Sequence, residues 1–97
     1  MNIEQLRTAG AFVDSAPVKT SITWKEHQFD VHILRLSFGD MERISASGNS
    51  TVNLIANAIL LGEEKQPITP EDAARLDISL AAKLIEAVNE VNAAPKS

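Results

Sequence analysis

The chain contains no cysteine, and this absence excludes disulfides, thiolate nucleophiles and zinc sites built on cysteine. Long apolar runs are also missing: the longest, Ala58 to Leu61, is far shorter than a membrane-spanning helix requires. The first residues, MNIEQLRTAG, lack the apolar core of a secretion signal. Together these absences predict a cytoplasmic protein without membrane association.

Positive charge is scarce and dispersed along the sequence. Nine basic residues stand against 13 acidic ones, which gives a net charge of -4, and the basic residues form no cluster. Nucleic-acid binding usually needs a concentrated positive surface, so we do not expect a nucleic-acid partner. The four glycines are scattered singly, which excludes a glycine-rich phosphate loop.

Catalytic and metal-binding patterns are also absent. The only histidines, His27 and His32, are five residues apart in an extended segment and point to opposite faces, so they cannot share a metal. Asp30 shares a face with His32, but no motif supplies a nucleophile for a triad. The acidic residues between positions 63 and 72 lack the spacing of a calcium loop. We therefore predict a non-enzymatic protein with no cofactor and no metal.

A two-residue apolar period begins at Val18 and predicts an antiparallel β-hairpin. Val18 to Lys25 and Phe29 to Ile33 form its strands, and residues 26–28 form its turn. At Ile33–Leu34 the apolar phase reverses and continues to Phe38, which indicates either a β-bulge or a strand buried on both faces. Residues 41–48 are compatible with a short third strand or a turn of helix.

The segment Ser50 to Leu61 predicts a helix that is apolar almost all round, with Asn49 or Ser50 as its cap and Gly62 as its stop. A surface helix of a monomer needs only one apolar stripe. This helix is therefore either the central element of the fold or partly buried by another chain. Its two asparagines, Asn53 and Asn57, form either a solvent-facing sector or a polar contact across a protein interface.

The segment Thr69-Pro70-Glu71-Asp72 is a strong helix start, because Thr69 can cap the helix and proline suits its first position. Helical spacing of apolar residues continues to about residue 92. The segment is one helix, or two helices separated near residues 77–79, and we favour the break.

These patterns predict one α+β domain over residues 1–97. It has an antiparallel β-hairpin or small sheet at about 18–38, followed by two or three helices at about 50–61, 70–77 and 79–92. Residues 1–16 form a lead-in with a short helical turn that ends at Gly10, with Phe12 and Val13 packed on the domain, and residues 93–97 form a disordered tail.

The order of these segments resembles that of tail assembly chaperones of long-tailed bacteriophages. The resemblance is carried by a hairpin containing "ITW", the apolar segment ending in "ILLGEE", the helix start "ITPEDAARL" and the final "LAAKLIEAVNEVN". It implies a small intracellular protein, located in the host cytoplasm, that binds the tape measure protein of a phage tail and shields its apolar helical segments. It also implies self-association, and in many phages a longer frameshifted product.

Binding to a protein partner predicts contact residues on the apolar surfaces. Trp24 is either packed on the sheet or part of a binding hot spot. The candidate contact residues for a protein partner are Trp24, Asn53, Leu54, Asn57, Leu61 and Ile85. The alternative function is a homo-oligomeric structural or regulatory module without chaperone activity.

Overall fold

The computed structural model describes residues 2–13 and 16–92, and within them it has five helices and a four-stranded antiparallel sheet. This confirms the predicted α+β class. The strands are β1 (Val18–Trp24), β2 (His27–Ile33), β3 (Ile59–Leu61) and β4 (Gln66–Pro67), and they lie in the sheet in chain order. The helices are α1 (Ile3–Thr8), α2 (Phe38–Ala46), α3 (Ser50–Ala58), α4 (Pro70–Ala74) and α5 (Ile78–Asn92). The expected tail at 93–97 lies outside the described residues.

The predicted hairpin is confirmed, although its turn is shorter than expected. β1 and β2 pair from Val18 opposite Ile33 to Trp24 opposite His27, so Lys25 and Glu26 alone form the turn. Lys25 has a φ of 55°, the left-handed conformation that two-residue hairpin turns require. The apolar residues of both strands share one face of the sheet, and that face packs against α5.

The apolar phase reversal after Ile33 marks the end of the strand, so both the bulge and the doubly buried strand were wrong. The Leu34 N–H leaves the hairpin and donates to the Ala58 carbonyl at 2.8 Å. Ser37 then caps α2: its side chain accepts from the Asp40 N–H at 3.1 Å, and Asp40 accepts from the Ser37 N–H at 3.0 Å. The uncertain residues 41–48 therefore belong largely to a helix, which begins at Phe38.

The apolar segment that was predicted as one helix divides into a helix and a strand. α3 ends at Ala58, and Ile59 turns to extended backbone with φ −119° and ψ 131°. Ile59 then pairs with Ile33, so β3 joins the sheet. The predicted helix end at Leu61 is wrong because β2 offers unpaired backbone groups that helical periodicity in the sequence does not reveal. Gly62, with φ 71°, begins the turn to β4 instead of ending the helix.

The apolar surface of this segment predicted either a central element of the fold or a helix partly buried by another chain. In the structure, α3 is the central helix. It contacts α2, α4 and α5, and its residues Ile55 and Ala58 are buried. Asn49 occupies its N-cap position without a capping hydrogen bond from its side chain. The largest fully buried side chains lie between this helix, α5 and the sheet: Val31, Ile33, Ile55, Ile59 and Val88.

The predicted break in the C-terminal helical segment is confirmed. Thr69 caps α4 by accepting from the Asp72 N–H at 3.1 Å, and Pro70 is the first helical residue. The chain leaves helical geometry after Ala74 and re-enters it at Ile78. Asp77 accepts from the Ser79 N–H at 2.9 Å, which satisfies one of the free donors at the start of α5.

The N-terminal segment contains the expected helical turn but packs loosely. α1 has no buried residue, and Gly10 follows it with φ 84°. Phe12 and Val13 are 52% and 44% exposed and line a shallow depression with Arg35, so they lie beside the domain without entering its core. The Arg7 guanidinium lies 5.6 Å from the Phe12 ring centre, and this contact joins two residues of the N-terminal segment itself. None of the helices in residues 2–13 and 16–92 has the length and apolar character that crossing a membrane requires.

Candidate interaction site

Trp24 lies at the turn end of β1, where it joins the hairpin to the start of α5. Its indole Nε1–H donates to Ser79 Oγ at 2.8 Å, and the Ser79 hydroxyl donates to Asp77 Oδ1 at 2.5 Å. His27 stacks beside the indole at 6.4 Å between ring centres, and Lys25 Nζ lies 4.6 Å from the Trp24 ring. Trp24 is half-buried, so it packs on the sheet and still presents part of its surface to solvent.

The hydrogen bonds around Asp77 favour its ionised form. The Ser79 hydroxyl and the Ser79 N–H both donate to this carboxylate, and these bonds lower the pKa of Asp77 below the usual range of an aspartate. Similarly, the bond from the Ser37 N–H, followed by that from Arg43, lowers the pKa of Asp40. Both carboxylates serve helix starts, so these shifts have a structural cause and do not identify a catalytic group.

The predicted asparagine pair lies on α3 and is linked by a local hydrogen bond. Asn57 Nδ2 donates to the Asn53 carbonyl at 2.7 Å, and Asn53 Nδ2 donates to Ser47 Oγ at 2.8 Å. Asn53 therefore ties the end of α2 to α3. Asn57 is exposed, whereas Asn53 is half-buried.

The predicted apolar contacts differ in how much surface they present. Leu54 and Ile85 are half-buried and pack against the main core. Leu61, at the end of β3, is 38% exposed and is the most accessible of the three. The six candidates lie on β1, α3, β3 and α5, and Leu61 is the one of the six that lines the groove described next.

Leu61 forms part of a groove beside β2, at the point where β3 ends. The groove has a volume of about 480 Å³, and Phe29 contributes a second apolar side chain. Charged and polar residues surround these two, and Lys19 Nζ lies 3.6 Å from Asp30 Oδ2 on this rim. The full lining is Lys19, Phe29, Asp30, His32, Leu61, Gly62 and Glu63. An apolar floor with a polar rim suits a protein segment that inserts an apolar side chain.

Sequence reasoning missed two apolar residues that the structure leaves exposed, Phe38 and Ile78. Phe29 is half-buried against the main core, as its place in the hairpin pattern predicts, and it also lines the groove. Phe38 was assigned to a strand, yet it begins α2 and is 79% exposed. Ile78 begins α5 and is 85% exposed. The spacing Ser37-x-x-Asp40 is a capping signal that could have placed Phe38 at a helix start.

The described part of the chain does not bring together three or more side chains of the kinds that bind metals. A family model for phage tail assembly chaperones (TAC) matches residues 4–92. The chain belongs to the phage tail assembly chaperone family.

This membership confirms the resemblance found in the sequence and covers nearly the whole chain. No curated protein and no solved structure gives a significant match. Chaperone families are generally non-enzymatic, and membership of this family indicates a tail-protein partner.

Proposed function

We propose that this tail assembly chaperone binds the tape measure protein of a phage tail and shields its apolar helical segments until the tail is assembled. The single observation that carries the proposal is the groove in which Leu61 and Phe29 remain accessible in a member of this family. An amphipathic helix presents apolar side chains at intervals of three and four residues, and one such side chain fits an opening of about 480 Å³.

Other accessible apolar side chains extend the surface on which a long partner can lie. Phe38 and Met41 are three residues apart on α2, so they share one face of that helix. Ile78 and Trp24 lie near the opposite end of α5 from Asn92. Asn53, Leu54, Asn57 and Ile85 remain candidate contacts, and partial burial limits what Leu54 and Ile85 add to the contact area.

Shielding requires reversible contacts rather than an irreversible anchor. Full burial of a leucine side chain contributes about 1.5–3 kcal/mol, and Leu61 already has most of its surface buried. Several partly exposed side chains together therefore give moderate affinity that tail assembly can overcome. The proposal also includes a cytoplasmic location and self-association of the chaperone.

The test is co-expression of the tagged chain with the tape measure protein encoded by the same phage, followed by co-purification and measurement of soluble tape measure protein. Leu61→Asp places a charge in the groove and should weaken binding at least about tenfold, because that charge would be buried against apolar partner surface. Thr8→Asp makes the same charge change at an exposed position of α1, outside the groove and outside the apolar surface on α2 and α5, and should bind like the parent chain.

Two results would contradict the proposal. Failure of the parent chain to bind or solubilise the tape measure protein would exclude the chaperone role for this partner. If the chain then still associated with itself, the alternative of a homo-oligomeric module would be supported. Equal binding by the Leu61→Asp and Thr8→Asp variants would exclude the groove as the contact site.

A further inference from the structure

The outer edge of β1 carries backbone groups that do not pair within the sheet. In a hairpin with a two-residue turn, the residues next to the turn, Trp24 and His27, exchange hydrogen bonds, and every second residue outward does the same. The intervening residues Lys19, Ser21 and Thr23 therefore direct their N–H and C=O groups away from β2. The Thr23 carbonyl shows this direction, because it accepts from Lys83 Nζ at 2.6 Å.

The two edges of the sheet differ in how they are protected. β4 forms one edge with only two residues, and one of them is Pro67, which has no N–H to donate. β1 forms the other edge with seven residues and contains neither proline nor glycine. Long unprotected edge strands are templates for pairing with another strand. In residues 2–13 and 16–92, Lys83 is the side chain that covers an outward carbonyl of β1.

We propose that β1 pairs antiparallel with β1 of a second copy, across a two-fold axis that passes beside Ser21. In this register Ser21 faces Ser21 of the second copy, and Lys19 faces Thr23. These are the residues whose backbone groups point outward, so each facing pair can exchange two hydrogen bonds. The outward N–H and C=O groups of β1 in a second copy thus face those of the first copy directly. No change of strand register is needed for them to pair.

The same register matches side chains on both faces of the joined sheet. On the face that packs against α5, Val18 lies opposite Trp24 and Thr20 lies opposite Ile22, so apolar surface remains continuous across the axis. On the other face, the small Ser21 side chains meet at the axis. The pairing covers part of the surface that Val18 and Trp24 leave accessible in one chain.

Charge on α5 supports a second copy rather than an unrelated strand. Lys83, Glu86, Ala87 and Glu90 form a cleft of about 240 Å³ with residues 20–23 of β1. Across the axis the two α5 helices run antiparallel, with the axis level with residues 86 and 87. Lys83 of each copy then faces Glu90 of the other, while Glu86 is exposed and keeps its charge in water. Lys83 leaves the Thr23 carbonyl, which accepts from the Lys19 N–H of the second copy.

This interface rests on the self-association that is part of the proposed function, and it specifies the surface through which two copies bind. It does not depend on tape measure binding. The chain has no cysteine, so disulfide trapping can test the register. Facing residues in a hydrogen-bonded pair have Cα atoms about 5.5 Å apart, within the range that a disulfide spans. Ser21→Cys should therefore give a covalent dimer under mild oxidation.

Thr23→Cys is the matched control on the same strand and the same face. In the proposed register, two copies of residue 23 are four residues apart along the strands, roughly 13 Å, which is too far for a disulfide. We expect Ser21→Cys to cross-link at least about tenfold faster than Thr23→Cys. Equal rates, or faster cross-linking of Thr23→Cys, would overturn the proposed register.

A second set of variants tests the interface without cross-linking. Ser21→Pro removes an N–H that points away from β2, so the hairpin keeps its own hydrogen bonds while pairing with a second copy is blocked. Light scattering should give a mass of twice 10.5 kDa for the parent chain and 10.5 kDa for Ser21→Pro. Lys83→Glu and Glu90→Lys should each weaken the dimer about fivefold, and the double variant should restore it.

The outcomes separate this inference from the chaperone function. The interface is overturned if the parent chain is monomeric at all concentrations, or if the Ser21→Pro variant stays dimeric. Neither result bears on tape measure binding, which the co-purification experiment tests separately. Loss of tape measure binding in a monomeric Ser21→Pro variant, with the parent chain also monomeric, would assign the edge to the tape measure protein instead. A folded, monomeric Ser21→Pro variant that still binds the tape measure protein supports both proposals.

Discussion

Asn92, the last residue of α5, holds the backbone at Leu36 by accepting from the Leu36 N–H at 2.6 Å through Oδ1. Its Nδ2 donates to the Leu34 carbonyl at 3.3 Å and to the Val88 carbonyl at 2.9 Å. One side chain therefore connects the end of the final helix to the segment between β2 and α2. These contacts explain why residues 34–36 keep a fixed path without belonging to a strand.

Asn92→Ala should lower the free energy of unfolding by about 1–2 kcal/mol, because it leaves the Leu36 N–H and the Leu34 carbonyl without this partner. Asn89→Ala is the matched control, since Asn89 is an exposed residue of the same helix. Urea denaturation of both variants measures the difference. Equal stability of the two variants would show that the Asn92 contacts contribute nothing.

Asp40 should make stability depend on pH in acid. The pKa of Asp40 is lower in the folded chain than that of an ordinary aspartate, mainly because the Ser37 N–H donates to its carboxylate. The carboxylate therefore contributes its full stabilisation above the unfolded pKa and loses it as the pH falls through the lower, folded pKa. Asp40→Asn should reduce stability at neutral pH and flatten the loss between about pH 5 and pH 2.

Glu42→Gln is the control for Asp40, because it removes one charge from the same helix outside the capping pair. The free energy of unfolding of Glu42→Gln should change with pH in the acidic range as that of the parent chain does. Ser37→Ala should cost about 1 kcal/mol through loss of the cap. Chemical denaturation at several pH values checks all three variants, and a parallel profile for Asp40→Asn and the parent chain would contradict the assignment.

Ser79→Ala should be visible in the fluorescence of the single tryptophan. The substitution removes Ser79 Oγ, the acceptor of the Trp24 Nε1–H. The indole N–H then donates to water, so the emission maximum of the single tryptophan should move to longer wavelength. Loss of this bond should also cost about 1 kcal/mol of stability. Ser45→Ala, on an exposed face of α2, should leave both the emission and the stability unchanged.

Alanine substitutions at two residues on the same face of β3 should differ in cost because burial falls towards the end of the strand. Ile59 is fully buried, so Ile59→Ala should destabilise the chain by about 2–5 kcal/mol. Leu61 is 38% exposed, and Leu61→Ala should cost clearly less. Thermal or urea denaturation measures both values, and equal costs would contradict the accessible position of Leu61 in the groove.

The parts of the fold that depend on local signals could be predicted from the sequence. Alternating residues from Val18 onward specify a hairpin, and Thr69-Pro70 specifies a helix start, because each signal acts within a few residues. The break before Ile78 was expected for the same reason, since Asp77 and Ser79 favour a helix start over a helix interior.

The parts that depend on distant partners could not be predicted. Ile59 becomes extended because Ile33, far away in the sequence, offers a strand to pair with. The Trp24–Ser79 bond joins residues 55 positions apart, and no local pattern announces it. At the candidate site, the exposure of Leu61 depends on where β3 ends, so its place in the groove with Phe29 became visible only in three dimensions.

The two-residue strand β4 has a consequence for assembly at high concentration. Because β4 has only two residues and Pro67 has no N–H to donate, the sheet can be extended on one side alone. In the proposed pairing through β1, each copy uses the one edge that is open to extension, so growth stops at a closed pair and does not continue into a filament. The proposed interface therefore predicts that the chain does not seed fibrils through its own sheet, even at high concentration.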